Sequence, residues 1–375
     1  MPPSDQEDFP IRPNLSKGLR LFFYSQFFIT PERPTHSFPN QTVIVTGANS
    51  GLGLEAAGHF YRLHCGRLIL AVRTIAKGQE AKEYILRNNP QRSDPNAIEI
   101  WPLDLSSTAS TLAFSDRAKG LPRLDVLVNN AGINTPEWKL YEGYEQAVQI
   151  NVLNTFLLAL VLLPKLEESF ALTEESPHLV IVSSEAHRLT KFPEINAPDL
   201  YAKLNDQSSF SQQPRWVFFW GNLRRYFPVK ETSVANVSLI LCYRYQATKL
   251  MEVLFTRELV ARLGSFTRVI INLVNPGLCI SNLDRNNGSP VMKLVRRILD
   301  RTTEVGSRTL VLAASAPASS HGEFQSDGAN QDVEAWIYTE VGQEAQKKVF
   351  EQTMHILEAR KPGIAAIFRD EQTIF

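Results

Sequence analysis

Thr42–Thr46, TVIVT, runs directly into Gly47-Ala48-Asn49-Ser50-Gly51-Leu52-Gly53 and then into LEAAGHF, a helical pattern. Few folds accommodate that order. The β-branched residues favour a strand, and the helix start leaves backbone N–H groups without intrahelical partners. Together the strand, turn and helix place those N–H groups and the positive end of a helix dipole where a pyrophosphate can sit. Glycine is required because a Cβ would hold the backbone away from the phosphates. The spacing is G-x-x-x-G-x-G rather than the commoner G-x-G-x-x-G, and a glycine turn after a strand can also be no more than a tight loop. Gly47, Asn49, Ser50, Gly51, Leu52 and Gly53 are the candidate cofactor residues.

From Gln41 onward, β-rich runs alternate with helical patterns, as in a parallel sheet wrapped by helices. Strands are expected at Thr42–Thr46, Arg67–Val72, Ile98–Leu103, Leu124–Val128, His178–Ser183 and Arg268–Val274. Helices are expected near Leu52–Leu63, Ile75–Asn88, Ser107–Lys119, Tyr141–Glu168, Gln246–Leu263 and Gln343–Glu358. Within the fourth of these, the apolar run Val152–Leu163 stops at Pro164, is too short to span a bilayer and reads as a buried helix. Several strands are apolar at nearly every position, which fits a sheet covered on both faces. The fold class expected is α/β, one Rossmann-type doubly wound parallel sheet with helices on both faces, forming a single domain over 41–360. An extension over 1–40 precedes it and a tail over 361–375 follows.

Arg73 ends the second strand and Lys77 lies one turn on. An acidic residue there would hold the ribose 2′-hydroxyl of NAD, whereas an arginine accommodates the extra phosphate of NADP. NADP(H) is the expected cofactor. Asp104, in WPLDLSS, is open between an N-cap of the next helix and a partner for the adenine amino group. Asn129-Asn130-Ala131-Gly132 closes the fourth strand, at the carboxyl edge where open α/β sheets bind ligands. Other partner classes fit less well. Lys plus Arg and Asp plus Glu number 39 each, so no net field draws the chain to nucleic acid or anionic lipid. Cys65, Cys242 and Cys279 are far apart and the seven histidines are scattered. That pattern argues against a metal site or disulfide framework and for a reducing, cytoplasmic compartment.

In CYRYQATKLM, Cys242 to Met251, Tyr245 and Lys249 are four apart on a predicted helix and share a face, while Tyr243 does not share it. A phenol with a pKa of about 10 is a poor base at neutral pH, and a nearby ammonium favours the phenolate. Ser184 ends VIVSS at the same carboxyl edge of the sheet. Its hydroxyl could hydrogen-bond a carbonyl oxygen while Tyr245 gives or takes the proton. His187 follows three residues later, but no G-x-S-x-G elbow surrounds the serine, so it reads as a loop residue. Asn151 is open between a helix cap and a polar group that holds a relay water.

TGANSGLG, NNAG, Asn151, Ser184, Tyr245-Gln246-Ala247-Thr248-Lys249 and Asn275-Pro276-Gly277 together resemble the short-chain dehydrogenase/reductase family, from about Gln41 to Arg360. LILAVR and KLMEVLFTREL are similar to its retinol-dehydrogenase-like branch in fungal secondary metabolism. The resemblance implies that Ser184 orients the substrate oxygen and Tyr245 is the acid/base. It implies that Lys249 lowers the phenol pKa and grips the nicotinamide ribose, and that Asn151 supports the relay. It further implies that Leu52, Arg73, Asp104 and Asn130 touch the cofactor, with Ser281 near the nicotinamide amide, where the family usually has threonine. The expected activity is interconversion of a carbonyl and an alcohol on a small apolar substrate, such as a polyketide or terpenoid intermediate. A retinol- or steroid-like lipid substrate is the alternative. From a different class, a non-catalytic NADP-sensing regulator is weighed against by the intact Ser–Tyr–Lys set.

The gap from Ser184 to Tyr245, 61 positions, exceeds the family's usual one, with an insert over about 207–243. Deleting Val217 to Tyr243 would restore QQPRW-RYQATK, an ordinary junction. Two readings stay open: a translated intron, or a lid with Trp216, Phe218, Phe219 and Trp220 facing an apolar ligand. LRLFFYSQFFI, Leu19 to Ile29, is too short to span a bilayer and reads as a helix packed on the domain, with an interfacial membrane anchor as the alternative. The helix after Lys249 is apolar on more than one side and needs a second cover. An identical helix from a second subunit, in a homodimer, is the candidate.

Overall fold

The computed structural model describes Ile11 and residues 14–212, 243–280 and 300–368. Strands β1 (Thr42–Thr46), β2 (Arg67–Val72), β3 (Ile98–Pro102), β4 (Val126–Asn129), β5 (His178–Val182), β6 (Ile270–Asn275), β7 (Phe324–Ser326) and β8 (Ala329–Gln331) form one eight-stranded sheet. Its order is β3-β2-β1-β4-β5-β6-β7-β8, parallel throughout except for the final β7–β8 pair. The strand order reverses between β1 and β4, where Ile44 pairs with Leu127 on one side and Ile69 on the other. Their carboxyl ends therefore open a crevice at the switch point.

Alternate residues of β1 and β2 feed two cores. Val43, Val45, Leu68 and Leu70 pack beneath helices α2 (Gly51–Arg62), α3 (Ile75–Asn88) and α7 (Thr303–Ala313). Ile44 and Ile69 belong to the opposite core with α4 (Thr108–Lys119), α5 (Thr155–Thr173), α6 (Tyr243–Leu263) and α8 (Glu340–Arg360). Both faces are covered, which is why the strands carry apolar side chains in both directions.

Several expectations need correction. The helix expected from Tyr141 begins later, because Glu142 and Gly143 take φ of 51° and 86° and turn Leu140–Tyr141 back on Tyr144–Glu145 as a small antiparallel ribbon. A π-helical stretch, Val148–Asn154, then leads into α5. Helix α5 runs through Pro164 to Thr173, past the expected end at Glu168. Residues Val148–Thr173 are long and apolar enough to cross a membrane, but their most apolar stretch is largely buried inside the protein. Helix α7 was not anticipated. Within the chain, α8 covers α6: Phe255 stacks on Phe350 at 4.9 Å, and Arg262 meets Glu351 at 3.3 Å. The LRLFFYSQFFI run lies in helix α1 (Leu15–Phe28), capped by Asn14, whose Oδ1 accepts from the Lys17 N–H at 3.1 Å. Ser281 and residues 213–242, with Trp216, Phe218, Phe219 and Trp220, lie outside the described residues, so neither reading of the insert is addressed.

Candidate active site

A cavity of about 450 Å³ opens along the carboxyl ends of β1, β2, β4, β5 and β6. At its floor, Gly47 and Gly51 take φ of 66° and 58°, a left-handed conformation that suits glycine. Gly47, Asn49, Ser50, Gly51 and Leu52 all line the cavity at the start of α2. Gly53 does not line it, and its role is different. A Cβ there would come within 2.6 Å of the Gly47 carbonyl and 2.5 Å of Asn130 Nδ2, so glycine at 53 lets α2 sit against the turn. Asn130 lines the cavity but commits its amide to structure, with Nδ2 donating to Thr46 O at 2.8 Å. Thr46 Oγ1 in turn accepts the N–H groups of Asn130 and Ala131 at 3.0 and 2.9 Å. This strut between β1 and β4 shapes the switch point and was not singled out from the sequence.

Arg73, Thr74 and Lys77 line one end of the cavity, and Asp104 lies there too. Asp104 is not the cap of α4: Ser107 takes that place, accepting from the Ser110 N–H. Asp104 Oδ1 instead accepts from the Ser106 N–H at 2.9 Å and its hydroxyl at 2.8 Å. These residues, the glycine turn and the helix start form a cradle that fits a dinucleotide.

Ser184, Tyr245 and Lys249 meet at the same cavity although 61 positions separate the first two. The juxtaposition arises because α6 packs beside the end of β5: Ser183 Oγ lies 3.4 Å from Lys249 O, and Lys249 Nζ donates to Val182 O at 2.8 Å. Ser184 caps a short 3-10 turn, Glu185–Leu189, where its Oγ accepts from the Ala186 N–H at 3.1 Å. That bond uses an acceptor lone pair and leaves the hydroxyl proton available for donation. Tyr245 is 7% exposed, and Lys249 Nζ lies 5.4 Å from the centre of its ring. Tyr243 does not line the cavity; its phenol donates to Glu194 at 2.8 Å, and burial with that carboxylate pushes its pKa up. His187 is fully enclosed, its Nδ1 on Ser184 O at 2.8 Å, and burial lowers its pKa to about 3. It supports the turn rather than facing ligand.

Asn151 lies within the π-helical stretch and is not a cap. Its Oδ1 accepts the Ile133 N–H at 2.9 Å, and its Nδ2 lies 3.0 Å from Ile133 O and 3.1 Å from Thr248 Oγ1. The side chain therefore ties the loop after β4 to the helix carrying Tyr245.

Glu252 is the group that motif reading missed. Its Oε1 accepts from Lys249 Nζ at 2.8 Å, with Glu252 only 2% exposed. Burial raises the Glu252 pKa to about 7 despite the pull of Lys249 and Ser183. Burial also opposes charge on Lys249, but Glu252 and Tyr245 outweigh it and the amine pKa lies above the ordinary lysine value. Lysine and glutamate three apart on a helix were a readable signal.

The short chain dehydrogenase family model matches residues 41–195. The chain is 36% identical over 351 residues to the short chain dehydrogenase/reductase dmxR8 of Cryptosporiopsis sp., covering 92% of this chain and 99% of that protein. It is 38% identical over 317 residues to the short chain dehydrogenase atnD of Emericella nidulans, covering 82% and 90%. The chain belongs to the short-chain dehydrogenase/reductase family. Its fold is also that of the Pseudomonas aeruginosa RhlG/NADP active-site complex, with TM-score 0.53 and 20% identity over 79% of this chain and 98% of that one. A 3-ketoacyl-(acyl-carrier-protein) reductase from Brucella melitensis complexed with NADH gives TM-score 0.52 at 18% identity, covering 77% and 97%. These relationships make the protein an oxidoreductase of the NAD(P)(H)-binding kind.

Proposed function

We propose that this protein is an NADP(H)-dependent oxidoreductase that interconverts a carbonyl and an alcohol on a small apolar molecule, in fungal secondary metabolism. One observation carries the reading: Ser184, Tyr245 and Lys249 share a cavity with the glycine turn, and Arg73 and Lys77 stand at its other end. When bound, the nicotinamide supplies or accepts the hydride. Arg73 and Lys77 would receive the 2′-phosphate, Asp104 the adenine end, and the start of α2 the pyrophosphate. Ser184 donates to the substrate oxygen and fixes its position. Tyr245 delivers the proton during reduction and removes it during oxidation. Lys249 stabilises the phenolate and holds the ribose, while Asn151 keeps the neighbouring loop in register for the relay. Secondary metabolism and the polyketide or terpenoid substrate class rest on likeness to the fungal relatives.

Replacing Tyr245 by Phe is expected to leave NADPH affinity unchanged and to abolish NADPH oxidation against a panel of apolar ketones and aldehydes. Full turnover by that variant would refute the assignment.

A further inference from the structure

The cavity is not closed by the sheet's own loops alone. Gly18, Phe22 and Phe23 of α1 line it too, and α1 lies against the turn that Ser184 caps, where a Cβ on Gly18 would sit 3.7 Å from Arg188 Cδ. Three sets of contacts fix α1 in that position. At its start, the Asn14 N–H donates to Glu334 Oε2 at 3.1 Å, and Glu334 is also held by Arg188 at 3.2 Å. At its end, Arg301 Nη2 donates to Ser25 O at 2.7 Å and Ile29 O at 3.0 Å, while Arg301 Nη1 pairs with Asp327 at 2.6 Å. Ser25 Oγ donates to the same Asp327 carboxylate at 2.6 Å. Between these ends, Gln26 grips the backbone of Leu278 from both sides: Nε2 donates to its O at 2.7 Å and Oε1 accepts its N–H at 3.2 Å.

Leu278 follows the Asn275-Pro276-Gly277 turn, which borders the site. Gly277 has φ 77°, and a Cβ there would lie 3.1 Å from Gln26 Oε1 and 2.8 Å from Arg301 Nη1. The helix and the turn are thus fitted to each other. Such specific polar fastening, most of it partly buried, exceeds what a loosely packed leader would need, and it holds two phenylalanines at the cavity wall, outside both cores.

We propose that α1 is a specificity element of the active site, Phe22 and Phe23 forming the apolar wall against which the non-reacting body of a flat, ring-bearing carbonyl substrate lies. The inference rests on the oxidoreductase reading for the location of the reacting carbonyl. Fused rings suit this wall because aromatic faces and edges pack with a preference of about 0.5–1.5 kcal/mol beyond the area they bury.

The test is calorimetric titration of acetyl-arenes of increasing ring number into the full-length Tyr245→Phe protein loaded with NADPH, where binding is read without turnover. Affinity is expected to rise with ring number. Adding Phe22→Ala or Phe23→Ala is expected to weaken the largest ketone roughly tenfold while the smallest ketone and NADPH change little. Phe22→Leu and Phe23→Leu, which keep apolar bulk and remove the ring, guard against a folding defect and are expected to lose part of the same preference. Equal affinities in parent and variants, or no binding of any ketone by the parent, would overturn the proposal. Turnover by the wild-type protein is read separately: ring-dependent binding without NADPH oxidation would sink the oxidoreductase reading and leave the wall standing.

Discussion

Glu252 offers a quantitative check on the site, because its charge is carried against burial. Its carboxyl titrates at about 7 in the folded chain, compared with 4.5 when unperturbed. Between those values the folded state holds a proton that the unfolded state has released, so stability falls as pH rises through the interval. At about 1.4 kcal/mol for each pH unit, the interval from 4.5 to about 7 comes to about 3 kcal/mol. The penalty is absent below the lower value and complete above the upper one. Glu252→Gln removes the titration while leaving an oxygen to accept from Lys249. Losing the charge-assisted bond subtracts a roughly constant amount wherever Lys249 is charged, so the informative quantity is the change with pH in the stability difference between variant and wild type. From about pH 4 to about pH 8 that difference is expected to move in the variant's favour by about 3 kcal/mol, measured by urea unfolding of both proteins at each pH. Parallel stability curves would refute the reasoning. The same substitution removes a negative charge that competes for Lys249, so the pH at which alcohol oxidation reaches half its maximum is expected to fall by roughly one unit.

Arg73→Ser is expected to weaken NADPH roughly tenfold or more while NADH affinity stays unchanged, and added salt should shrink the gap; fluorescence titration of both nucleotides checks it, and equal losses would contradict the phosphate assignment. Phe255 stacks on Phe350 at 4.9 Å and lies 4.0 Å from Phe156, so Phe255→Ala is expected to cost about 3–5 kcal/mol in urea unfolding. His59 and His187 are held neutral by burial, with pKa values lowered to about 4 and about 3 from 6.5. The unfolded chain therefore takes up their protons first, and stability is expected to decline as pH falls below 6.5. His187→Gln should make that decline shallower in thermal melts at about pH 7 and about pH 5.

What could be read from the sequence was local or periodic. β1 and β2 have their expected bounds because β-branched runs between turn residues leave little choice of conformation, and the glycine turn needs no distant partner to be recognised. Tyr245 and Lys249 could be paired by one helical turn. Helix α7 was not anticipated, and it carries Gly306 in its interior, a residue that disfavours helix; in the fold a Cβ there would lie 2.2 Å from Cys279 Sγ, so close packing demands glycine. The signals that do mark the helix are quieter: Thr302 caps it by accepting from the Val305 N–H, and Glu304 stands in its first turn. Pro164 stops neither the expected helix nor α5, since a helix buried on all sides can retain a residue that removes one backbone donor.

Gly53 illustrates the limit of motif reading. The G-x-x-x-G-x-G pattern counts its three glycines alike, yet two line the cavity and the third is required by Asn130, 77 positions away. Glu252 and the α1 clamp share that dependence on distant neighbours. A lysine and a glutamate three apart could be a solvated surface pair worth little; only enclosure between α6 and the end of β5 makes their charges compete with Tyr245. Likewise Arg301 and Asp327 gain meaning as a clamp only when folding brings Ser25 between them. Proton-handling groups can therefore be named from spacing along one helix, whereas the groups that tune them and shape the substrate's space depend on burial, which becomes legible when the chain has closed on itself.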